Sequence, residues 1–233
     1  MKALPPSPEL PLPKPRRPQT RALGLAVASL LLLTGCGGST SNQPVNLKGG
    51  LPVGAVLSLT GNANVYGQDQ KIGLELAQAA LKPGSVLPLQ LRIEDGGSDE
   101  AGATSAFNLL IKGGTAALIG PTLSQQAFAA DPIAQRRGVP VLAPSNTATG
   151  IPELGSFISR VSAQSSVIAP LSIAKALELH PQIKRAAVFY AQDDAYSTAE
   201  TTIFQKALTE KGLKPITVQR TQLNDQDLSL IHI

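Results

Sequence analysis

From Leu51 onward the chain alternates between short apolar runs and amphipathic stretches of helical length, and this alternation leaves few folds open. Residues 53–59 form an apolar β-type run that ends in the turn Thr60-Gly61-Asn62. Residues 68–81 set Ile72, Leu76 and Ala79–Ala80 at helical spacing and stop at Lys82-Pro83-Gly84. Leu89, Leu91 and Ile93 then alternate with polar residues, the mark of a strand, before EDGGSD. A second helix is expected over 101–112, closed by Gly113-Gly114, and a third strand over 116–119. Residues 124–137 read as a helix interrupted near Pro132, and 139–143 as a fourth strand. After a polar passage come a helix over 166–179, a strand over 185–191, a helix over 197–211 and a strand over 216–219. Strands separated by helices of roughly 10–15 residues make βαβ units and a parallel sheet. VPVLA and AAVFYA are apolar at successive positions, which suits strands covered by helices on both faces. The fold class is α/β.

The first fifty residues are of another kind. Lys2, Lys14, Arg16, Arg17 and Arg21 stand against a single acid, Glu9, and residues 22–33 form an apolar run of twelve before Thr34-Gly35. A basic start, a short apolar core and small residues make the layout of a secretory signal peptide, expected over 1–35. The run falls short of the roughly 20 residues needed to span a bilayer. Its n-region is long and Pro-rich, and Arg16-Arg17 is followed by Pro-Gln-Thr, unlike a twin-arginine signal. Leu33-Thr34-Gly35-Cys36 resembles the bacterial lipobox, which makes Cys36, the sole cysteine, the expected lipidated first residue of the mature chain. More than one acyl chain, at about 0.8 kcal/mol per buried CH₂, holds such an anchor stably. Residues 36–50 are small, polar and Gly-rich, the composition of a flexible tether.

This leader accounts for the whole charge. The chain is +4 overall, but the leader carries five bases and one acid, which leaves fifteen of each sign from Cys36 onward. With aromatics at 3% and no basic cluster in the mature part, neither stacking platform nor phosphate track is present, which excludes nucleic acid as a partner. One thiol makes neither an internal disulfide nor a metal site, and no metal or other cofactor is implied.

An open α/β sheet binds its ligand outside the carboxyl ends of its strands. Those ends read SLTGNANVYG, EDGGSD, GPTLSQQ and APSNTATG: rich in Ser, Thr, Asn and Gly, poor in catalytic groups. G-x-S-x-G, G-x-x-x-x-G-K-[ST], G-x-G-x-x-G and H-E-x-x-H are all absent from the sequence. Hydroxyls and helix N-termini without a general base describe a binding site for a small anion rather than an enzyme.

The stretch VGAVLSLTGNANVYGQDQKIGLELA, the GPTLSQQ loop and GVPVLAPSNTAT together resemble the branched-chain amino-acid type of periplasmic solute-binding protein, the receptors of ABC importers. The resemblance runs from Leu51 to Asp227 and implies a type I fold of two α/β lobes that close around a ligand. It assigns 51–163 to a first lobe and 164–227 to an incomplete second lobe. It further implies a small neutral amino acid or related amide as ligand, an ABC permease as partner, and a lipid-anchored location in the cell envelope. By the same resemblance Ser124 holds the ligand's carboxylate, Ser145 offers its backbone, Thr147 adds a hydroxyl, Tyr66 lines the pocket and Tyr196 covers the ligand from the second lobe. Each has a plainer role: Ser124 suits a helix N-cap, Ser145 and Thr147 suit a turn, and Tyr66 a half-buried aromatic. Around Tyr196 the chain departs from the family, with Ser197 where glycine is usual and one extra residue in QDDA. A ligand-sensing domain of the same fold and an exported α/β enzyme are the rival readings, as is a purely structural lipoprotein that binds nothing. The last six residues, LSLIHI, match the translation of a transposon-end sequencing adapter and are expected to be foreign to the protein.

Overall fold

The computed structural model describes residues 49–81, 88–225 and 229. The expected signal segment, Cys36 and all but the end of the tether lie outside these residues, as does LSLIHI apart from Ser229. Among the described residues, seven strands and five α-helices follow one another: β1 (Leu51–Leu57), α1 (Asn64–Ala80), β2 (Leu89–Asp95), α2 (Glu100–Lys112), β3 (Ala117–Ile119), α3 (Ser124–Arg137), β4 (Val141–Ala143), β5 (Ile158–Arg160), α4 (Ser165–Leu179), β6 (Ala186–Ala191), α5 (Ala195–Glu210) and β7 (Pro215–Thr221). The first five strands make one parallel sheet in the order β2-β1-β3-β4-β5, and β6 and β7 pair in parallel as a second sheet. The order reverses between β1 and β3, and in such sheets the crevice at the reversal is where ligands bind.

The central position of β1 follows from its residues. Val53, Ala55, Val56 and Leu57 are all buried, and a Cβ on Gly54 would stand 2.8 Å from Leu110 Cδ1 and 2.9 Å from Leu118 Cδ2. Around Val56 the core gathers Phe107, Leu110, Leu118, Val141, Ile151 and Ile158. Alanines on α2 (Ala103, Ala106) and α3 (Ala127, Ala130, Ala134) complete it, and small side chains let the two helices approach closely. Asp99 caps α2 by accepting from the Gly102 N–H at 2.8 Å, and Gly138, with φ +66°, ends α3 in the left-handed conformation.

The structure departs from the sequence reading in four places. α3 runs unbroken through Pro132, because its alanine face is held against α2. β5 and a short 3-10 turn over Pro152–Leu154 occupy the passage read as merely polar; ISR is too short for a period and owes its form to pairing with β4. Neither VPVLA nor AAVFYA is covered on both faces by the described residues, and Leu142 of the first is 43% exposed. α4 and α5 pack on Ala186 and Val188 through Ile173, Phe204, Ala207 and Leu208, whereas Ala187 and Phe189 are exposed. Finally, Ile72 and Leu76 on α1 keep the expected spacing yet are 53% and 66% exposed among the described residues.

Asp131 is the anomaly of the core. It is fully buried in α3, and neither carboxylate oxygen has a hydrogen-bond partner among the described residues. Burial pushes its carboxyl up from the ordinary 3.8 to about 8. The folded chain therefore keeps a proton that the unfolded chain has lost across this interval. Rising pH between those two values favours unfolding, and the loss is complete once pH passes the folded value. Urea unfolding at a series of pH values should show wild-type stability falling from about pH 5 to about pH 8, with a flatter profile for Asp131→Asn. At the upper end the variant should be the more stable, by on the order of 1–3 kcal/mol. Parallel profiles would exclude Asp131 as the source of the slope.

Candidate functional site

The loops that follow β1, β2, β3 and β4 meet at one edge of the first sheet, and their side chains bond to one another. Gln126, in the first turn of α3, is fully buried and joins three of them. Its Oε1 accepts from the Ser58 hydroxyl at 3.2 Å and from the Leu123 N–H at 3.0 Å. Its Nε2 donates to the carbonyls of Gly96 at 2.9 Å and Asp99 at 3.2 Å. Thr122 Oγ1 accepts from the Ser58 N–H at 2.9 Å and donates to Gln70 Oε1 at 2.7 Å, which brings α1 into the same network. α1 lies so close that a Cβ on Gly67 would sit 2.0 Å from the Ser58 carbonyl oxygen. Asp95, at the end of β2, accepts from the N–H groups of Leu59, Thr60 and Gly97 and from the Thr60 hydroxyl. Burial acts to raise its carboxyl, but the bonds from Thr60, Gly97 and Leu59 outweigh burial and hold it below the ordinary value.

The loop after β4 is held from behind. Arg160 Nη1 donates to the carbonyls of Asn146 and Ala148 at 3.3 and 2.9 Å. Ser162 Oγ reaches the Asn146 carbonyl at 2.7 Å, and Ser165 Oγ the Thr147 carbonyl at 3.3 Å. The chain that crosses to the second sheet is thus tied to the loop carrying Ser145 and Thr147.

Four of the five expected ligand residues fall into one neighbourhood. Ser124 is buried as the first residue of α3, not its cap, which is Leu123; its hydroxyl accepts from the Ala148 N–H at 3.4 Å. Thr147, the next residue back, donates from Oγ1 to Glu200 Oε1 at 3.3 Å, which links the first sheet's loop to α5 of the second. Tyr196 lies in the first turn of α5, and its phenol is pushed up first by burial, then by Glu200, Asp194 and Tyr66. Tyr66 is 66% exposed rather than half-buried. Ser145 stands apart: its hydroxyl donates to the Thr122 carbonyl at 2.6 Å and accepts from Gln70 Nε2 at 2.8 Å, so its side chain braces the loop. Asp193 and Asp194 are not a catalytic pair. Asp194 caps α5 through the Ser197 N–H at 2.8 Å, and Asp193 accepts from the Leu223 N–H at 2.8 Å.

Sequence reasoning passed over Glu200, although it follows Tyr196 by four residues and so shares its helix face. Burial pushes its carboxyl up, partly offset by the bond from Thr147. Tyr196 and Glu200 also line a cleft of about 430 Å³ between α5 and β6, with Val188, Phe189, Phe204 and Leu208. A second link between the sheets runs from Asn62 Nδ2 to Asn224 Oδ1 at 3.2 Å. No group of three or more His, Cys, Asp or Glu that could hold a metal occurs among the described residues.

A parallel sheet with the 2-1-3-4-5 order, joined by one crossover to a second parallel sheet and carrying polar loops at the junction, is the architecture of a two-lobe binding protein. The chain matches the model of the periplasmic binding protein family over residues 50–232 and belongs to that family. Its fold is similar to that of a leucine-binding protein, LivK, from Thermotoga maritima MSB8, with 25% identity, a TM-score of 0.70, and 77% of this chain and 51% of that one covered. It is also similar to the branched-chain amino acid transporter substrate-binding protein LivJ of Streptococcus pneumoniae str. Canada MDR_19A, solved with isoleucine (20% identity, TM-score 0.70, 78% and 52% covered). A solute-binding protein of an ABC transporter from R. palustris, solved with 4-hydroxybenzoate, matches at 21% identity and a TM-score of 0.67, with 78% and 49% covered. These relatives are solute-binding proteins, and the chain spans about half their length. No curated protein matches the chain in sequence.

If Gln126 is what holds the strand-end loops together, Gln126→Leu, similar in volume, should leave the Leu123 N–H without its acceptor and the Gly96 carbonyl with only the 3.3 Å bond from the Asp99 N–H. Urea unfolding should then report a loss of roughly 2–4 kcal/mol. A loss within about 0.5 kcal/mol, the range of an ordinary surface substitution, would show that the loops hold without it.

Proposed function

We propose that this chain is the extracytoplasmic substrate-binding component of an ABC importer, anchored by lipid at Cys36 and capturing a small amino-acid-like ligand between its two sheets. What supports this reading is the link between the two sheets at the expected site: Thr147 bonds to Glu200, one turn from Tyr196 on α5, and Ser124 bonds to Ala148, the residue after Thr147. Ser124 lies at the start of α3, where backbone N–H groups and the helix dipole favour a carboxylate. Tyr66 and Tyr196 supply flat apolar surface with a polar edge, suited to cover a small ligand from two sides. Ser145 contributes its backbone while its hydroxyl fixes the loop. The relatives' ligands, isoleucine in one and 4-hydroxybenzoate in another, share a carboxylate, the group for which this end of the site is built.

Closure follows from the same geometry. Ligand meets the loops of the first sheet, and the second swings over it, favoured only by the contacts that the closed form adds. The closed receptor then docks on a membrane permease.

Calorimetric titration of the protein expressed from its complete reading frame should find a carboxylate-bearing small molecule bound tightly. Ser124→Ala should weaken that binding about 10-fold or more, with a modest fall in the unfolding midpoint because the Ala148 N–H loses its acceptor. Unchanged affinity in Ser124→Ala would remove Ser124 from the site, and failure of every amino acid, amide and aromatic acid to bind would sink the receptor reading. In bacterial cells, Cys36→Ser should move the exported protein from the membrane fraction to the soluble one; a variant that stays with the membrane would refute the lipid anchor.

A further inference from the structure

We propose that Arg160 is a positioning residue for ligand capture: it holds the backbone of residues 146–148 against the crossover, so the affinity for every ligand depends on it although it acts only through that loop. The inference rests on the receptor reading and names the side chain that joins the binding loop to the chain leading into the second sheet.

β4 and β5 end in register, with Ala143 opposite Arg160 and the Val161 N–H on the Ala143 carbonyl at 3.1 Å. Beyond that point the ladder stops, and side chains of the crossover take its place. Three consecutive carbonyls of the loop accept from them. Arg160 Nη1 serves Asn146 and Ala148, Ser162 Oγ also serves Asn146, and Ser165 Oγ, on the first residue of α4, serves Thr147. Among the described residues Arg160 has no carboxylate partner, and both hydrogen bonds of its guanidinium go to this loop. The group suits the task, because one nitrogen with two N–H bonds spans the carbonyls on either side of Thr147.

The effect on the loop follows from peptide geometry. A trans peptide points its N–H opposite its C=O. With the Asn146 and Thr147 carbonyls drawn toward the crossover, the N–H groups of Thr147 and Ala148 are turned the other way. The Ala148 N–H is so placed, for it bonds to Ser124 Oγ in the first turn of α3 at 3.4 Å. The Thr147 N–H has no acceptor among the described residues and is left as a donor. Thr147 Oγ1 meanwhile reaches Glu200 on α5. One loop residue is thus tied to the crossover by its carbonyl and to α5 by its hydroxyl, and Arg160 braces the peptides on both sides of it. A loop released from Arg160 samples other peptide orientations, and every ligand then binds only the fraction that keeps the native one.

The test uses protein from the complete reading frame, with the proteinogenic amino acids and 4-hydroxybenzoate as probes and amide hydrogen exchange as a readout that needs no ligand. Arg160→Met leaves the Ala148 carbonyl without its donor and the Asn146 carbonyl with Ser162 alone. It should weaken every probe that wild type binds by the same factor, about 10- to 100-fold. Exchange should quicken at residues 146–149 while α2 stays protected. Arg160→Lys keeps a cationic donor and should return affinity to within about 5-fold of wild type. A merely structural role would lower the unfolding midpoint yet leave the affinities of the folded protein within about 3-fold, which overturns the proposal. A loss confined to some probes overturns it too, since that would place Arg160 against the ligand itself. Should Arg160→Met fail to fold, Ser165→Ala removes the donor to the Thr147 carbonyl alone and should weaken all probes about 3- to 10-fold. Unchanged affinity in that variant overturns the proposal. In each of these cases the receptor reading stands, whereas a wild type that binds no probe removes both.

Discussion

The junction rests on one buried amide. Parallel strands end in loops that run in the same direction and have no ladder of their own, so something must hold them together at the carboxyl edge. Gln126 does this with two acceptor and two donor contacts, to Ser58, Leu123, Gly96 and Asp99. A neutral amide suits the task because each of its ends finds partners of opposite polarity and no charge is stranded in the core. Once these loops are fixed, Thr122 and Gln70 carry the constraint to α1 and Ser145 carries it to the loop after β4. The loops at the carboxyl edge are thereby joined to α1 and to one another through side chains.

The contacts between the two sheets are of a different strength. Thr147–Glu200 at 3.3 Å, partly buried, and Asn62–Asn224 at 3.2 Å, exposed, are long bonds, and Ala199 packs against the first core with a single methyl group. Each contributes little by itself. This contrast fits a clamp, because a junction held by a few weak bonds can open and re-form. The crossover is better anchored, through Arg160, Ser162 and Ser165.

Much of this was legible from spacing alone. The order of strands and helices, and most of their ends to within a few residues, follow from a period that switches between two and three to four. β5 escaped because three residues carry no period, and its pairing with β4 is a tertiary fact. Pro132 misled because propensity was read without the alanine face that overrides it. AAVFYA misled because apolar residues on both faces of a strand reveal what would be favourable to cover, not what the described helices cover. At the site, the resemblance pointed to Tyr66, Ser124, Ser145, Thr147 and Tyr196, of which Ser124 bonds to Ala148, Ser145 to Thr122 and Thr147 to Glu200. Gln126, Thr122 and Asp95 were invisible, since a residue that bonds across 30 to 64 positions leaves no local trace. Glu200 did leave one, four residues after Tyr196, and was missed because attention stayed on the motif.

Net charge is a poor guide to such a site. From Cys36 onward acids and bases balance, so there is no overall field to steer an amino acid or an aromatic acid toward the molecule. Whatever selectivity exists must come from charges fixed at close range and partly withdrawn from water, where interaction energies exceed those at the open surface.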